Sequence, residues 1–306
     1  MKKLYFIFNP QAGKAVIGDS LCDIFDMFTK ADYEVTAHPT QEKRDAVNAS
    51  TYACENGFDL IVCAGGDGTL SECIEGIMNA SNHIPIGYIP AGSTNDFSKG
   101  LGIPKGITNA VQWIIDGSPT PCDVGRFNDG FFTYIVAFGA FTNVTYETSQ
   151  QIKNLFGHAA YIFSSMFQLT SIKANRMRIE YDENIIEDDF IYGMVTNSSS
   201  VAGLLSLSDF LLDDGLFEVT IIKKPANVMQ LQQILHSLLN ITQDLDKDYI
   251  KCFRTSHIKF TSLSDTPITW TLDGEYGGSN QVNIISNDNK AVSFIIGPHD
   301  NCNFTE

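Results

Sequence analysis

Asp59-Leu60-Ile61-Val62-Cys63-Ala64-Gly65-Gly66-Asp67-Gly68-Thr69-Leu70 is the stretch whose reading decides the fold. Residues 59–63 form a short apolar run at strand length, and the glycine turn that follows leads into a helix over about 70–80. Strand, glycine turn and helix in that order are the unit of a parallel sheet flanked by helices. Gly65, Gly66 and Gly68 leave backbone N–H groups free to approach a phosphate closely, and the helix start adds favourable partial charge. Asp67 itself would repel a phosphate. A carboxylate among phosphate-binding amides makes sense if it holds a magnesium ion, directly or through water, or if it accepts a proton or a sugar hydroxyl. Without a ligand the string would be a tight strand-to-helix turn, but it should arise by chance in well under ~1% of chains this long.

Working outward, residues 3–8 read as a buried strand, 17–28 as a helix and 34–37 as a short strand. A second helix ends at Gly57. Beyond the glycine turn come a strand at 86–89 and a helix at 107–115. This alternation predicts an α/β amino-terminal domain with a mostly parallel sheet. Past Asp123 the pattern becomes strand after strand, at 131–138, 177–181, 190–196, 217–222, 257–261, 268–272, 282–285 and 292–296. Helical stretches at about 150–171 and 226–242 interrupt it. The expected carboxyl-terminal domain is a β-rich, antiparallel sandwich or open barrel. The division is read as 1–125 and 126–306, with the last ~10 residues able to return to the first domain. No glycine- or proline-rich linker separates the halves, so the active site is expected in the cleft between them.

The 306 residues include 43% hydrophobic and 18% charged side chains, a balance suited to globular domains and not to extended disorder. A net charge of −16 excludes nucleic acid as a natural partner and opposes docking on anionic lipid by charge alone. No apolar run reaches the roughly 20 residues needed to cross a bilayer. Asn9-Pro10 stops the first apolar run too early for a signal peptide. The 7 cysteines form no CxxC pair, which favours reduced thiols and a cytoplasmic setting. No histidine cluster suggests zinc.

Two further segments fall at the carboxyl edge of the predicted parallel sheet, where ligands bind in such folds. Asn9-Pro10-Gln11-Ala12-Gly13-Lys14 follows the first strand and lacks the spacing of a Walker A loop. Pro90-Ala91-Gly92-Ser93-Thr94-Asn95-Asp96-Phe97 follows the strand at 86–89 and offers hydroxyls, an amide and a carboxylate. At these three strings the chain resembles the diacylglycerol kinase catalytic-domain family, which includes bacterial diacylglycerol kinases and sphingosine kinases. That family carries an N-P-x-[SA]-G turn, a G-G-D-G-T loop and a P-x-G-[ST]-x-N-D segment in this order. The resemblance implies an ATP- and Mg2+-dependent kinase in which Asn9, Gly13, Thr40, Gly66, Asp67, Gly68, Thr69, Glu72 and Ser93 surround ATP. Pro10, Gly65, Gly92 and Asn95 belong to the same loops. Asp96 would join the acidic network that positions magnesium or substrate.

The resemblance extends through the second half. Asp123 matches the acidic residue that opens the family's second domain and faces the cleft. Asp213-Asp214-Gly215-Leu216 looks like the turn that binds a structural magnesium in bacterial members, with Asp214 giving a carboxylate oxygen and Leu216 its carbonyl. Taken by itself, it is a hairpin-like turn with solvated acids. Asp273-Gly274-Glu275 matches the family's D-G-E segment, whose glutamate is taken as general base. Such a carboxylate is already ionised at neutral pH and can accept an alcohol's proton as the O–P bond forms.

The implied reaction moves the γ-phosphoryl group to a lipid hydroxyl, diacylglycerol giving phosphatidic acid. Phosphatidylglycerol, a sphingoid base and an undecaprenol-like alcohol are further acceptors. NAD kinases also use a G-G-D-G loop, and a catalytically silent nucleotide-binding regulator is the alternative of another class. Lys153, Lys173, Arg176 and Arg178 flank the apolar stretch 155–172. That pairing suits a transient contact at the inner face of the membrane. A homodimer is left open.

Overall fold

The structure is a computed structural model that describes residues 1–12, 16–92, 95–139, 173–197, 200–201, 205–206, 212–239 and 248–298. It divides into two units, Met1–Val124 with Asp288–Glu306, and Gly125–Asn287.

In the first unit, β1 (Lys2–Phe8), β2 (Tyr33–Pro39), β3 (Leu60–Gly65) and β4 (Ile86–Pro90) are joined by the end of β17 (Val282–Ile296). The order is β2-β1-β3-β4-β17 and every pairing is parallel. All six residues of β3 are buried, which is why it reads as an unbroken apolar run: a parallel strand covered on both faces has no polar side. The helices are α1 (Val16–Lys30), α2 (Asp45–Glu55), α3 (Asp67–Asn79), α4 (Asp96–Gly100) and α5 (Ile107–Asp116). Ile17, Ile24 and Phe28 of α1 and Ala110, Val111 and Ile114 of α5 recur at helical spacing and join Leu4, Phe6, Val62 and Ile89 in one core.

Helix α3 begins at Asp67, earlier than the turn expected to run to about Leu70. Gly66 is its extended N-cap, and a carboxylate in the first turn suits the positive end of the helix dipole. Strand β5 (Ser118–Phe127), which carries the chain into the second unit, was hidden by Pro119 and Pro121.

The second unit is antiparallel throughout. It contains β6 (Gly130–Phe132), β7 (Ile135–Gly139), β8 (Asn175–Tyr181), β9 (Asn184–Thr196), β12 (Phe217–Lys223), β13 (Ile250–Thr255), β14 (His257–Ser262), β15 (Ile268–Leu272) and β16 (Glu275–Asn280). A small hairpin is made by β10 (Ser200–Val201) and β11 (Leu205–Ser206). Trp270 is fully buried, with the rings of Phe138, Phe260 and Phe127 at 4.9, 5.0 and 5.2 Å. Such contacts prefer tilted and edge-on geometry, as here. Helix α6 (Val228–Leu239) lies within the expected stretch 226–242, and packs Leu231 and Ile234 on Ile191, Ile222 and Ile250. The expected helix over 150–171 lies outside the described residues. The single strand expected at 131–138 is two, because the chain breaks at Thr133-Tyr134 and gives those amides to a side chain rather than to a ladder.

Candidate active site

In a parallel sheet every strand ends at the same edge, so the loops after β1, β2, β3 and β4 converge. The Asn9 N–H donates to the Ala64 carbonyl at 3.0 Å, Thr40 N–H to Phe8 at 2.9 Å and Ala91 N–H to Gly65 at 2.8 Å. Asn9, Pro10, Thr40, Gly65–Thr69, Gly92 and Asn95 thus lie along one edge. Gly13 and Ser93 lie outside the described residues, and Asp96 is placed as the first residue of α4.

Several of these side chains hold loops. The Asn9 carboxamide oxygen accepts the Gln11 N–H at 2.9 Å, and the Glu72 carboxylate accepts the Arg44 N–H at 2.9 Å. Arg44 has φ 69° and reaches Glu75 through its guanidinium at 2.7 Å, so α3 fixes the start of α2. Asn95, with φ 48°, closes the β4–α4 turn from both sides. Its Oδ1 accepts the Gly92 N–H at 2.8 Å and its Nδ2 donates to the Gly92 carbonyl at 2.7 Å.

The centre of the edge is made of backbone. A Cβ on Gly92 would lie 2.6 Å from Gly66 Cα and 2.7 Å from Asn95 Oδ1, closer than real Cβ atoms come. Two main chains therefore meet where only glycine allows it, and α3 points its N-terminus at the same place. This cradle fits a polyphosphate. Asp67, half-buried in the first turn of α3, adds a hard oxygen donor of the kind a divalent cation takes.

Asp123 was expected to face a cleft. Its side chain is 2% exposed and its Oδ1 accepts the Lys290 N–H at 2.8 Å, across from a backbone at φ 54°. That bond ties the end of the first unit's β5 segment to Lys290.

In the second unit, Asp214 Oδ1 accepts the Leu216 N–H at 3.0 Å and its Oδ2 pairs with Arg254. Arg254 Nε also donates to Glu218 Oε1 at 3.0 Å. Burial pushes the 6% exposed Glu218 carboxyl up to about 7 against the opposing pull of Arg254. Among the described residues no three His, Cys, Asp or Glu side chains gather to hold a metal. The Asp214 oxygens expected to bind a structural magnesium face an arginine and an amide. Asp213 lies beside it in the same turn.

Asp273 and Gly274 have φ 44° and 92°, and join β15 to β16 in a two-residue hairpin that requires left-handed backbone at both positions. The Asp273 carboxylate accepts from Thr133 N and Oγ1 at 2.8 and 3.0 Å through Oδ2, and from Tyr134 N and Ile135 N, both at 2.9 Å, through Oδ1. Its own N–H donates to Ile135 at 2.8 Å. Both Asp273 oxygens are engaged at the break between β6 and β7. Glu275 opens β16 and is exposed. Sequence reasoning missed Thr133, Arg254 and Tyr88. For Tyr88 a signal existed, since one phenol interrupts the apolar strand 86–89.

Glycine loops that could hold a polyphosphate, with a carboxylate at their rim, suit phosphoryl transfer, and the chain's relatives agree on a kinase. Residues 3–127 match the diacylglycerol kinase catalytic domain, and residues 135–291 match the YegS C-terminal NAD kinase beta sandwich-like domain. The chain belongs to the diacylglycerol kinase catalytic-domain family. It is 35% identical over 286 residues to a diacylglycerol kinase of Staphylococcus epidermidis, covering 93% of this chain and 89% of that one. A diacylglycerol kinase of Bacillus subtilis is 33% identical over 280 residues, 91% of each chain. The fold is also that of a putative diacylglycerol kinase from Bacillus anthracis, with a TM-score of 0.78 at 24% identity over 97% of both chains. Membership implies use of ATP and a divalent metal. No described helix is long and apolar enough to cross a membrane.

Proposed function

We propose that the protein transfers the γ-phosphoryl group of ATP to the hydroxyl of a lipid alcohol, with diacylglycerol as acceptor and phosphatidic acid as product. The observation that carries this reading is the Gly66–Gly92 approach beside the N-terminus of α3, with Asp67 at its rim. Bound Mg2+ and ATP supply the phosphoryl group and neutralise the charge that develops on it.

Backbone amides of the Gly65–Thr69 loop would orient the phosphates beside Gly92, and Asp67 would hold the cation. Glu275 would accept the alcohol's proton as the new O–P bond forms and the bond to ADP breaks. Asp273 would position rather than react. Its hydrogen bonds fix the hairpin from which Glu275 projects, as general-base catalysis requires.

Incubation with γ-labelled ATP, Mg2+ and separate micelles of diacylglycerol, phosphatidylglycerol, a sphingoid base and a polyprenol, with NAD as soluble control, tests the reading. Label is expected in phosphatidic acid above all others. Label in NAD alone, or in none, would overturn it. Contact with a membrane surface and self-association belong to the same proposal, and vesicle co-sedimentation and sedimentation velocity test them.

A further inference from the structure

Tyr88 lies in β4, immediately beneath the loops just described, and is 1% exposed. A buried phenol needs a partner for its proton. Its hydroxyl lies 3.2 Å from the Gly65 carbonyl oxygen and 3.4 Å from Asn95 Oδ1. The orientation of the Asn95 amide is set independently by its two bonds to Gly92, so an acceptor oxygen, not the NH2, faces Tyr88. One proton is therefore shared between two acceptors on two different loops. The Gly65 carbonyl also accepts the Ala91 N–H at 2.8 Å, which fills both of its lone pairs.

Across a trans peptide the C=O and the next N–H point in opposite directions. Holding the Gly65 carbonyl toward Tyr88 and Ala91 thus turns the Gly66 N–H away from them. Asn95 does the corresponding work on the other loop, gripping Gly92 through both its N–H and its carbonyl. Tyr88 joins the two grips, beside the place where a Cβ on Gly92 would strike Gly66.

We propose that Tyr88 and Asn95 are positioning residues that clamp the two phosphate-binding loops at a fixed separation, Asn95 acting through Gly92 rather than by touching nucleotide. The proposal rests on the nucleotide-binding reading above, adds Tyr88 to it and gives the Asn95 side chain a positioning role. Burial, and then the charge of Asp67, push the Tyr88 hydroxyl far above the usual tyrosine range.

The test compares the full chain with Tyr88→Phe, Asn95→Ala and the double variant, using calorimetric titration with Mg·ADP and amide hydrogen exchange of the nucleotide-free proteins. Tyr88→Phe keeps the ring and removes only the shared proton. Its Kd for Mg·ADP is expected to rise about 5-fold, and the Gly92 amide to exchange faster. Asn95→Ala is expected to weaken binding about 10-fold. The double variant should be no worse than Asn95→Ala, because both changes release the same loops. KM for the lipid should stay at the wild-type value in all three.

An unchanged Kd in Tyr88→Phe, or single effects that multiply in the double variant, would overturn the clamp while the kinase reading stands. Failure of the wild type to bind Mg·ADP would instead overturn the kinase reading. If Tyr88→Phe does not fold, Asn95→Ala decides alone, and wild-type affinity and Gly92 exchange in it would overturn the clamp.

Discussion

At the end of β3, glycines bring two main chains together and Asp67 stands at the rim of the gap they leave. At the end of β15, by contrast, a glycine only completes a turn, and the neighbouring Asp273 gives its whole carboxylate to the amides of residues 133–135. Both strings read as acid beside glycine in the sequence. In the proposed function the first lets backbone meet a ligand, whereas in the second a side chain replaces missing backbone partners. What distinguishes them is where the amides point, which only the folded chain reveals.

The comparison breaks most sharply at Asp67 and Glu275. Asp67→Ala should remove transfer almost entirely, about 10³-fold or more, because a charge stabiliser of the transferring group is lost. Its melting temperature should stay near that of the wild type. Measured turnover within tenfold of wild type would take Asp67 out of the mechanism. Glu275→Gln should lower kcat by about 10²-fold or more with nucleotide affinity unchanged, since an amide cannot take the alcohol's proton. A collapse of nucleotide affinity in that variant would make Glu275 a binding residue.

Asp273→Ala should behave differently from both. It leaves the Thr133, Tyr134 and Ile135 donors without their acceptor, which should cost about 2–4 kcal/mol in denaturant unfolding before any effect on chemistry. Activity lost without loss of stability would return Asp273 to the reacting groups. Asp214→Ala should cost less, about 1–2 kcal/mol, through the lost Leu216 cap and the Arg254 pair. Added magnesium should raise the melting temperature of wild type and Asp214→Ala equally, and a rise confined to the wild type would restore the cation site there.

The smallest effect concerns Asp188. Burial raises its pKa, but hydrogen bonds from Lys223 and the Asp189 amide outweigh that and lower it overall. Its folded pKa lies below the unfolded one, so its contribution is present above the unfolded pKa and fades as pH falls through the folded value. The pair is half-buried, with side chains 24% and 37% exposed, so solvent still screens it, and Asp188→Asn should cost under about 1 kcal/mol, lost below that window.

How far the sequence could be read follows the same division. Strand β3 was plain because burial on both faces leaves an unbroken apolar run, and the glycine turn was plain because few other jobs need three glycines there. Strand β16, Glu-Tyr-Gly-Gly-Ser-Asn, carries neither alternation nor an apolar run, since its ladder is set by the hairpin and not by its side chains. Asp123, Asp214 and Asp273 were singled out by resemblance to family segments, and their ties to Lys290, Arg254 and Thr133 were not legible because the partners lie 40 to 167 residues away in sequence. Tyr88 was not singled out, because it lies within a strand that is otherwise apolar.

Phosphoryl transfer from the glycine loops to a lipid hydroxyl is the proposed reaction. The direct measurement is the fate of the γ-phosphate of labelled ATP given to the purified chain with Mg2+ and diacylglycerol micelles, beside Asp67→Ala. One labelled phosphatidic acid for each ADP formed, and neither product from the variant, is the predicted result. ADP with free phosphate and no labelled lipid, or equal transfer by the variant, would contradict it.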